Sequence, residues 1–230
     1  MTVKPKDLFL FTLAFRPTIS VFMSLFITFE GGEGCGKSTQ AKRLKEYLEQ
    51  KGKTVVLTKE PGGTPVGDEI RNLLLKKTST LSALSELFLF LASRTQHVED
   101  VIAPALKGNK MVISDRFSDS SVAYQGGGRR LGIDLVKTFN NMAIGACQPH
   151  LTFLLDCPPE IGLRRLKRLR LLDRLESEKK EFHEMVRKTY LELAQEEKNR
   201  FVVINAEDSP DIIFEKIKMT CDKKMSEIEG

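Results

Sequence analysis

Residues 29–40, with the sequence FEGGEGCGKSTQ, combine four glycines with one lysine and two hydroxyl side chains. The stretch fits the pattern G-x-x-x-x-G-K-[ST] from Gly31 to Ser38. Glycines allow backbone N–H groups to turn inward around an anion, Lys37 can reach the outer phosphates of a nucleotide, and Ser38 can bind magnesium. The predicted ATP-binding residues are Gly31, Gly32, Glu33, Gly34, Cys35, Gly36, Lys37, Ser38 and Thr39.

A second chemical pair, Asp115 and Arg116, follows a short β-prone run. It lies at the carboxyl end of a predicted strand, the edge at which ligands bind in open α/β sheets. A carboxylate there can hold magnesium through water, and an arginine can bind a phosphate with two parallel hydrogen bonds. Both could therefore face the nucleotide; the alternative is a surface ion pair, and the pair by itself does not decide between the two.

A third stretch, LTKEPGGTPVGDEIRNLLL at 57–75, places a glycine turn between a predicted strand and a predicted helix. Lys59, Thr64 and Arg71 surround that turn and could form a second anion site. The alternative is an ordinary turn with Arg71 in solvent. Taken alone, the residues of this stretch favour the ordinary turn.

Alternating short apolar runs and longer amphipathic runs predict the elements that position these residues. The predicted strands are 24–30, 53–59, 109–115, 151–156 and 200–205, and the predicted helices are 37–51, 65–76, 82–107, 133–146, 158–171, 178–198 and 209–225. Several strands are apolar almost throughout, as is typical of strands covered by helices on both faces. The pattern predicts one α/β domain over 23–230, a doubly wound, five-stranded parallel sheet flanked by helices, of the P-loop NTPase type.

The chain has 230 residues, a formal charge of +5 and four cysteines without a CxxC pair. These values are typical of a reduced, cytosolic protein, and the charge is too small to indicate a nucleic-acid partner by itself. Cys35 is predicted to lie at a helix N-terminus, where a thiolate is favoured. Residues 1–22 contain an apolar run, but Asp7 and the Arg16-Pro17 pair interrupt it. We predict no membrane anchor there, and expect an N-terminal extension whose deletion leaves folding and activity intact.

Five motifs in this order, EGGEGCGKST, EPGGT, FLASR, SDRFSDSSVAYQGGGR and LDRLE, resemble those of the bacterial thymidylate kinases. The resemblance runs from about Leu25 to the C-terminal helix. The first motif is shared with many P-loop proteins, whereas the later ones are much more specific. The resemblance implies transfer of the γ-phosphoryl group of ATP to dTMP with Mg²⁺, a cytoplasmic step of dTTP synthesis, and a homodimer.

The resemblance also implies a thymine pocket. Phe90 and Arg94 match the family's F-x-x-x-R pair, in which the phenylalanine stacks on thymine and the arginine hydrogen-bonds a base carbonyl. Ser121 matches a contact to the thymine edge, and Tyr124 matches a ring that crowds the 2′ position and so favours deoxyribose. Gln125 is expected in the same wall. By periodicity alone, Phe90 would be a core residue.

Other matches concern the phosphate and the sugar of dTMP. Arg71 and Arg116 match the arginines that hold the dTMP phosphate, and Glu33 matches the acid that accepts the sugar 3′-hydroxyl. Lys59 stands where the family usually has arginine. Lysine keeps the charge but loses the planar fork, so a bidentate contact is not expected at that position.

Residues 162–176, GLRRLKRLRLLDRLE, carry six basic side chains against two acidic ones. A solvated helix face, a nucleic-acid patch and a mobile lid over ATP are the alternatives. Phosphoryl transfer gains from positive groups around the charged oxygens, and the phosphate loop has no arginine of its own. This favours a lid like that of the bacterial class, with Arg168, Arg170 and Arg174 as candidate catalytic residues beside Lys37, Asp115 and Arg116.

Two rival functions remain open from the residues. One is another nucleoside monophosphate or deoxynucleoside kinase on the same scaffold, which a different acceptor profile would reveal. The other is a P-loop switch or a DNA-associated ATPase that uses the basic segment for binding. The basic segment lacks the interleaved aromatic residues of a single-strand binding surface, so we predict no nucleic-acid partner. We also predict no membrane partner, because the apolar run in residues 1–22 is interrupted.

Overall fold

Five parallel strands form a single sheet in the computed structural model, which describes residues 24–229. The strands are β1 (Phe26–Glu30), β2 (Val55–Lys59), β3 (Met111–Asp115), β4 (Leu151–Asp156) and β5 (Phe201–Asn205), in the spatial order β2-β3-β1-β4-β5. The predicted five-stranded parallel sheet is therefore confirmed. The predicted extension, residues 1–22, lies outside the described residues.

The central strand β1 places the ligand-binding edge. It pairs with β3 on one side and β4 on the other, and the register sets Phe29 beside both Asp115 and Phe153. All five of its residues are buried, because helices cover both faces of the sheet. After β1 the chain continues to β2 and β3 on one side of β1, and it later forms β4 on the other side. The end of β1 is therefore a topological switch point, where a ligand-binding crevice opens.

Nine α-helices occur among the described residues. They are α1 (Lys37–Gln50), α2 (Pro65–Leu75), α3 (Ala83–His97), α4 (Ala103–Lys107), α5 (Ser118–Ser121), α6 (Ile133–Ile144), α7 (Pro159–Lys167), α8 (Lys180–Glu196) and α9 (Pro210–Glu229). Side chains cap two of them: Thr64 accepts from the N–H of Gly67 at 3.0 Å, and Ser82 accepts from the N–H of Ser85 at 3.1 Å. Such caps satisfy N–H groups that have no partner inside the helix.

The helix predictions need three corrections. The helix predicted over 82–107 continues through a π-helical segment at Val98–Ile102 before α4 begins. The helix predicted over 158–171 ends at Lys167, so three of the six basic residues of the predicted lid lie beyond it. A π-helical segment at Val122–Gly128 was not predicted, because glycine-rich sequence normally indicates a loop.

Apolar side chains form a core on each side of the sheet. On one side, α1 and α9 contribute Leu44, Leu48 and Ile217, each fully buried. On the other side, side chains of α3 and α8 belong to one core that includes Tyr190, which is 1% exposed. Loops at the carboxyl ends of the strands are thus held by packed elements on both sides.

Candidate active site

A cleft of about 1220 Å³ opens at the carboxyl ends of β1, β2 and β3. Its lining includes most of the predicted site residues: Glu33, Gly34, Cys35, Gly36, Lys37, Ser38, Thr39, Arg71, Phe90, Asp115, Arg116, Ser121, Tyr124, Gln125 and Arg170. The remaining predicted site residues, all within the described part of the chain, are not among the residues that line it: Gly31, Gly32, Arg94, Arg168 and Arg174. One cavity therefore joins the phosphate loop to the residues expected around dTMP.

The phosphate loop connects β1 to the N-terminus of α1. Gly36 stands immediately before the helix with φ +90°, a left-handed conformation that side chains disfavour. Lys37 is 7% exposed, and its Nζ donates to the carbonyl of Gly32 at 2.5 Å. The loop thus wraps around the side chain of Lys37, and the first backbone N–H groups of α1 point towards the same part of the cleft. Backbone N–H groups, a helix N-terminus and an ammonium group together suit a polyphosphate.

Ser38 and Asp115 meet at the floor of the cleft. The Oγ of Ser38 donates a hydrogen bond to Oδ2 of Asp115. No cluster of three or more His, Cys, Asp or Glu side chains that could hold a metal occurs among the described residues. Mg²⁺ is usually held by one or two protein oxygens together with waters and substrate phosphates. A hydroxyl beside a carboxylate next to the phosphate loop fits that requirement.

Several neighbouring residues accept hydrogen bonds from the guanidinium of Arg116. Its Nη2 donates to Oε1 of Glu33 at 2.8 Å and to the hydroxyl of Tyr124 at 3.1 Å, and its Nη1 donates to the carbonyl of Gly31 at 3.1 Å. Its backbone has φ +72°, an unfavourable conformation for a residue with a side chain. Hydrogen bonds on both sides of the guanidinium hold it at the base of the cleft.

Glu33 has the electrostatic environment of a permanently charged acid. Burial alone would raise its pKa, but the charges of Arg116 and Lys37 and the hydrogen bond from Tyr124 lower the pKa to about 2. The tyrosine hydroxyl donates to Oε1 at 2.6 Å. At neutral pH the carboxylate of Glu33 is therefore charged and accepts hydrogen bonds from Arg116 and Tyr124.

Arg71 has no acidic partner within salt-bridge distance among the described residues. Its Nη1 donates to the carbonyl of Pro61 at 2.8 Å, and the guanidinium lines the cleft. Burial and the nearby charge of Arg116 both lower the pKa of Arg71. A half-buried arginine whose charge is disfavoured by a neighbouring arginine favours an anion between the two.

The predicted thymine pocket is only partly formed by residues that face the cleft. Phe90, Ser121 and Tyr124 line it, whereas Arg94 lies beneath it and is 1% exposed. Arg94 donates to four neighbouring groups: Oε2 of Glu60 at 2.8 Å, Oγ of Ser121 at 2.9 Å, Oδ1 of Asn140 at 2.6 Å and the carbonyl of Phe117 at 3.1 Å. In this conformation Arg94 orients Ser121 from below.

The three lid arginines differ in their surroundings. Arg170 lines the cleft, and its guanidinium pairs with the carboxylate of Glu176 at 2.5 Å. Arg174 is tied to buried Glu86 at 2.7 Å and to the carbonyl of Leu74 at 2.7 Å. Arg168 is exposed at the C-terminal end of α7. Arg170 is thus the one of the three that borders the cleft.

Sequence reasoning did not assign two buried carboxylates that support the site. Glu60 pairs with Arg94 at 2.8 Å and with Nδ1 of His97 at 3.0 Å. Glu30 accepts from Ser120 at 2.6 Å and from the hydroxyl of Tyr190 at 2.8 Å. The available signals were an acidic residue at the end of an otherwise apolar strand for Glu30 and an acidic residue directly after β2 for Glu60. Their partners lie 34 to 160 positions away along the chain.

A family model described as thymidylate kinase matches residues 29–217, most of the chain. The chain belongs to the thymidylate kinase family. The thymidylate kinase of Maridesulfovibrio salexigens is 48% identical over 202 residues, which cover 84% of this chain and 93% of that protein. The thymidylate kinase of Protochlamydia amoebophila is 43% identical over 217 residues, covering 90% of this chain and 96% of that protein.

Comparison with a solved structure supports the same family. The crystal structure of thymidylate kinase from Ehrlichia chaffeensis superimposes with a TM-score of 0.71 at 34% identity, covering 86% of this chain and 98% of that chain. Its likeness agrees with the five-stranded parallel sheet and with the family assignment. Among the described residues of the chain, no helix combines the length and apolar character that a membrane span requires.

Proposed function

We propose that this chain transfers the γ-phosphoryl group of ATP to the phosphate of dTMP, with Mg²⁺, and so forms ADP and dTDP for dTTP synthesis. Phosphorylation of dTMP is the activity of the thymidylate kinase family, to which the chain belongs. The observation that carries the residue assignment is the single cleft shared by the phosphate loop and by Arg71, Arg116 and Phe90. Donor and acceptor phosphates can therefore meet in one place.

The loop and the start of α1 bind the donor. Backbone N–H groups from Gly34 to Ser38 surround the β- and γ-phosphates, and Lys37 supplies a positive charge beside them. Ser38 would ligate Mg²⁺ directly, and Asp115 would do so through water. When bound, the ion neutralises charge on the phosphate oxygens.

Arg71 and Arg116 hold the acceptor. The phosphate of dTMP is already anionic at neutral pH, so the reaction needs no general base. What it needs is an acceptor oxygen in line with the γ-phosphorus, and two arginines from different elements fix that orientation. Glu33 accepts the sugar 3′-hydroxyl while it holds Arg116 in place.

Phe90, Ser121, Tyr124 and Gln125 form the wall against which the base and sugar lie. Phe90 is 9% exposed and lines the cleft. An aromatic ring in this position suits stacking of one aromatic base. The Tyr124 hydroxyl, already bonded to Glu33, stands near the sugar and disfavours a 2′-hydroxyl. Arg94 serves thymine either directly or through Ser121.

The lid completes the site. Charge on the transferring group is greatest in the transition state, so an arginine that approaches only on closure stabilises that state selectively. Arg170, which borders the cleft, would exchange Glu176 for the phosphates when the lid closes. Closure also removes water from the site.

The chain forms a homodimer through the face made by α2, α3 and α6. Large apolar side chains are exposed there: Val66, Leu73, Leu84, Phe88, Leu135 and Met142. Such an accumulation is unusual for a surface in contact with water. Sedimentation velocity of the wild type and of Leu84→Glu tests it, because a buried charge would yield monomers. We place the enzyme in the cytoplasm, where ATP and dTMP occur; its four cysteines are all free.

A coupled assay of ADP formation tests the function. Mg-ATP is supplied with dTMP, dUMP, dCMP, dGMP, AMP or UMP, one at a time. Preference for dTMP supports both the reaction and the pocket. Turnover with another acceptor would retain the kinase but reject the pocket, and hydrolysis of ATP without any acceptor would reject the proposed function.

A further inference from the structure

Two cysteines from distant parts of the chain touch beneath the phosphate loop. The Sγ atoms of Cys35 and Cys157 are 2.7 Å apart, although the residues are separated by 122 positions. Cys35 belongs to the phosphate loop, and Cys157 directly follows β4. Both side chains are almost fully buried, at 2% and 4% exposure. The two thiols are therefore held together within the folded protein.

Tight backbone packing keeps this contact in place. A Cβ atom added to Gly34 would collide with the carbonyl of Gly162, and one added to Gly162 would collide with the carbonyl of Glu33. The phosphate loop thus lies directly on the first turns of α7. Because β4 leads through Cys157 into α7, both cysteines lie on backbone whose relative position is fixed.

The two thiols are chemically unequal. Cys35 lines the cleft, whereas Cys157 does not appear in its lining. The hydrogen bond with Cys157 and the charge of Lys37, against the effect of burial, lower the pKa of Cys35 to about 7. The same hydrogen bond and burial raise the pKa of Cys157. A cysteine with a lowered pKa at the wall of the cleft, in contact with a second cysteine of raised pKa, is the arrangement of an attacking and a resolving cysteine.

We propose that Cys35 and Cys157 form an oxidative modification site, which hydrogen peroxide converts into a reversible disulfide. The Cys35 sulfur attacks one peroxide oxygen; an S–O bond forms, the O–O bond breaks, and the released hydroxide takes a proton to leave as water. Cys35 is then a sulfenic acid. The Cys157 sulfur attacks the Cys35 sulfur, an S–S bond forms, and the hydroxyl leaves with the Cys157 proton as a second water.

Atoms and electrons balance in this sequence. The two thiols lose two electrons and two protons, and one peroxide becomes two waters. An added dithiol reverses the change by thiol–disulfide exchange. The small oxidant suits the site, since Cys35 is reached only through the cleft.

Nucleotide occupancy controls the reaction, a consequence that rests on the proposed function. The phosphates of ATP would cover the loop and close the path to Cys35. Their negative charge also disfavours a thiolate nearby. Oxidation is therefore faster in the empty enzyme than in the enzyme saturated with ATP.

Peptide mass spectrometry of the full-length protein tests the proposal. The folded protein is treated with peroxide, free thiols are blocked with N-ethylmaleimide, and proteolytic fragments are compared with and without dithiothreitol. We expect a linked Cys35–Cys157 peptide that dithiothreitol removes. Mg-ATP should slow its formation at least about fivefold, because the attacking thiol is covered.

Two variants sharpen the result. Cys157→Ser should abolish the linked peptide and leave Cys35 oxidised but unpaired, whereas Cys147→Ser should link like the wild type. If Cys157→Ser does not fold, the peptide map of the wild type is sufficient to test for the Cys35–Cys157 disulfide. Absence of the linked peptide, or pairing with Cys147 or Cys221 in the folded protein, would overturn the proposal. Turnover of dTMP by the reduced enzyme tests the proposed function separately.

Discussion

Ser38 donates a hydrogen bond from its hydroxyl to the carboxylate of Asp115, although 77 positions separate them in the chain. The contact joins the loop after β1 to the end of β3, and it brings together the two residues predicted to bind magnesium. Strand register explains the meeting, since Asp115 pairs with Phe29 near the end of β1. The two residues proposed to bind magnesium are thus already in contact with each other.

Asp115→Asn should raise the Mg²⁺ concentration that gives half-maximal activity by roughly tenfold, since outer ligands typically contribute that much to metal affinity. The amide keeps the shape and the acceptor but loses the charge. Titration of Mg²⁺ in the ADP-formation assay measures the shift. Asp100→Asn, at an exposed position of the π-helical segment Val98–Ile102, should behave as the wild type. Equal Mg²⁺ dependence of all three proteins would contradict the metal assignment.

Arg71→Ala should raise the KM for dTMP by roughly tenfold to a hundredfold, the usual effect of losing a charge-assisted hydrogen bond. The KM for ATP should change little, because Arg71 faces the acceptor side of the cleft. Initial rates over a grid of both substrates separate the two constants. Arg130→Ala removes an exposed arginine and is the matched control. A rise in the KM for ATP alone would place Arg71 on the donor side.

Arg170→Ala should lower kcat by a factor on the order of a thousand, as for other arginines that stabilise phosphoryl transfer. The KM values should change much less, because the contact forms in the transition state. Single-turnover kinetics at saturating substrates provide the measurement, and Arg164→Ala, in the exposed part of α7, is the control. Arg168→Ala and Arg174→Ala complete the series. Full turnover by all three variants would eliminate the lid mechanism.

Arg94→Ala should lower the free energy of unfolding by about 3–5 kcal/mol, because Glu60 would keep a buried charge without its main partner. Arg94 and Glu60 are 1% and 3% exposed, so water cannot replace the contact. Denaturant titration gives the value. Arg43→Ala breaks a more exposed pair with Asp211 and should cost at most about 1 kcal/mol. A similar loss in both variants would mean that burial does not determine the effect.

We expect the deprotonation of Glu30 to lower the free energy of unfolding as the pH rises from about 4.5 to about 7. Burial and the charge of Asp119 raise the pKa of Glu30 from 4.5 to about 7, so the folded protein holds a proton that the unfolded chain releases. The contribution is complete below pH 4.5 and is lost as the pH approaches 7. Thermal melts at pH 5 and pH 7.5 should differ by roughly 5 °C more in the wild type than in Glu30→Gln. A pH dependence unchanged by the substitution would refute this assignment.

Local sequence was sufficient to predict the strands and the phosphate loop. The five strands differ from their predicted bounds by at most two residues, because each is a short apolar run bounded by charged residues or turns. The loop was predictable because its chemistry depends on neighbours: glycines, a lysine and a serine at fixed spacing next to a strand and a helix. Family motifs then indicated the acceptor side.

Other parts of the site depend on contacts that spacing along the chain does not encode. Helix α7 ends at Lys167 because the basic residues beyond it find partners such as Glu86 and Glu176 outside a helix. Arg94 was predicted from its motif, but its burial over Glu60 follows from how α3 packs on the turn after β2. These outcomes needed the positions of several elements at once.

The sequence by itself determined the chemistry and the family of this protein, because phosphate binding relies on a contiguous loop and because the motifs keep their order. The tertiary structure decided which charges are free to meet a substrate. Arg71 has a carbonyl partner and faces the cleft, while Arg174 is neutralised by Glu86. It also decided that Cys35 meets Cys157, since β1 and β4 are adjacent in the sheet but far apart in the chain. Pairing of parallel strands brings residues that are far apart in the sequence into contact. A local sequence pattern does not show which of these residues will meet.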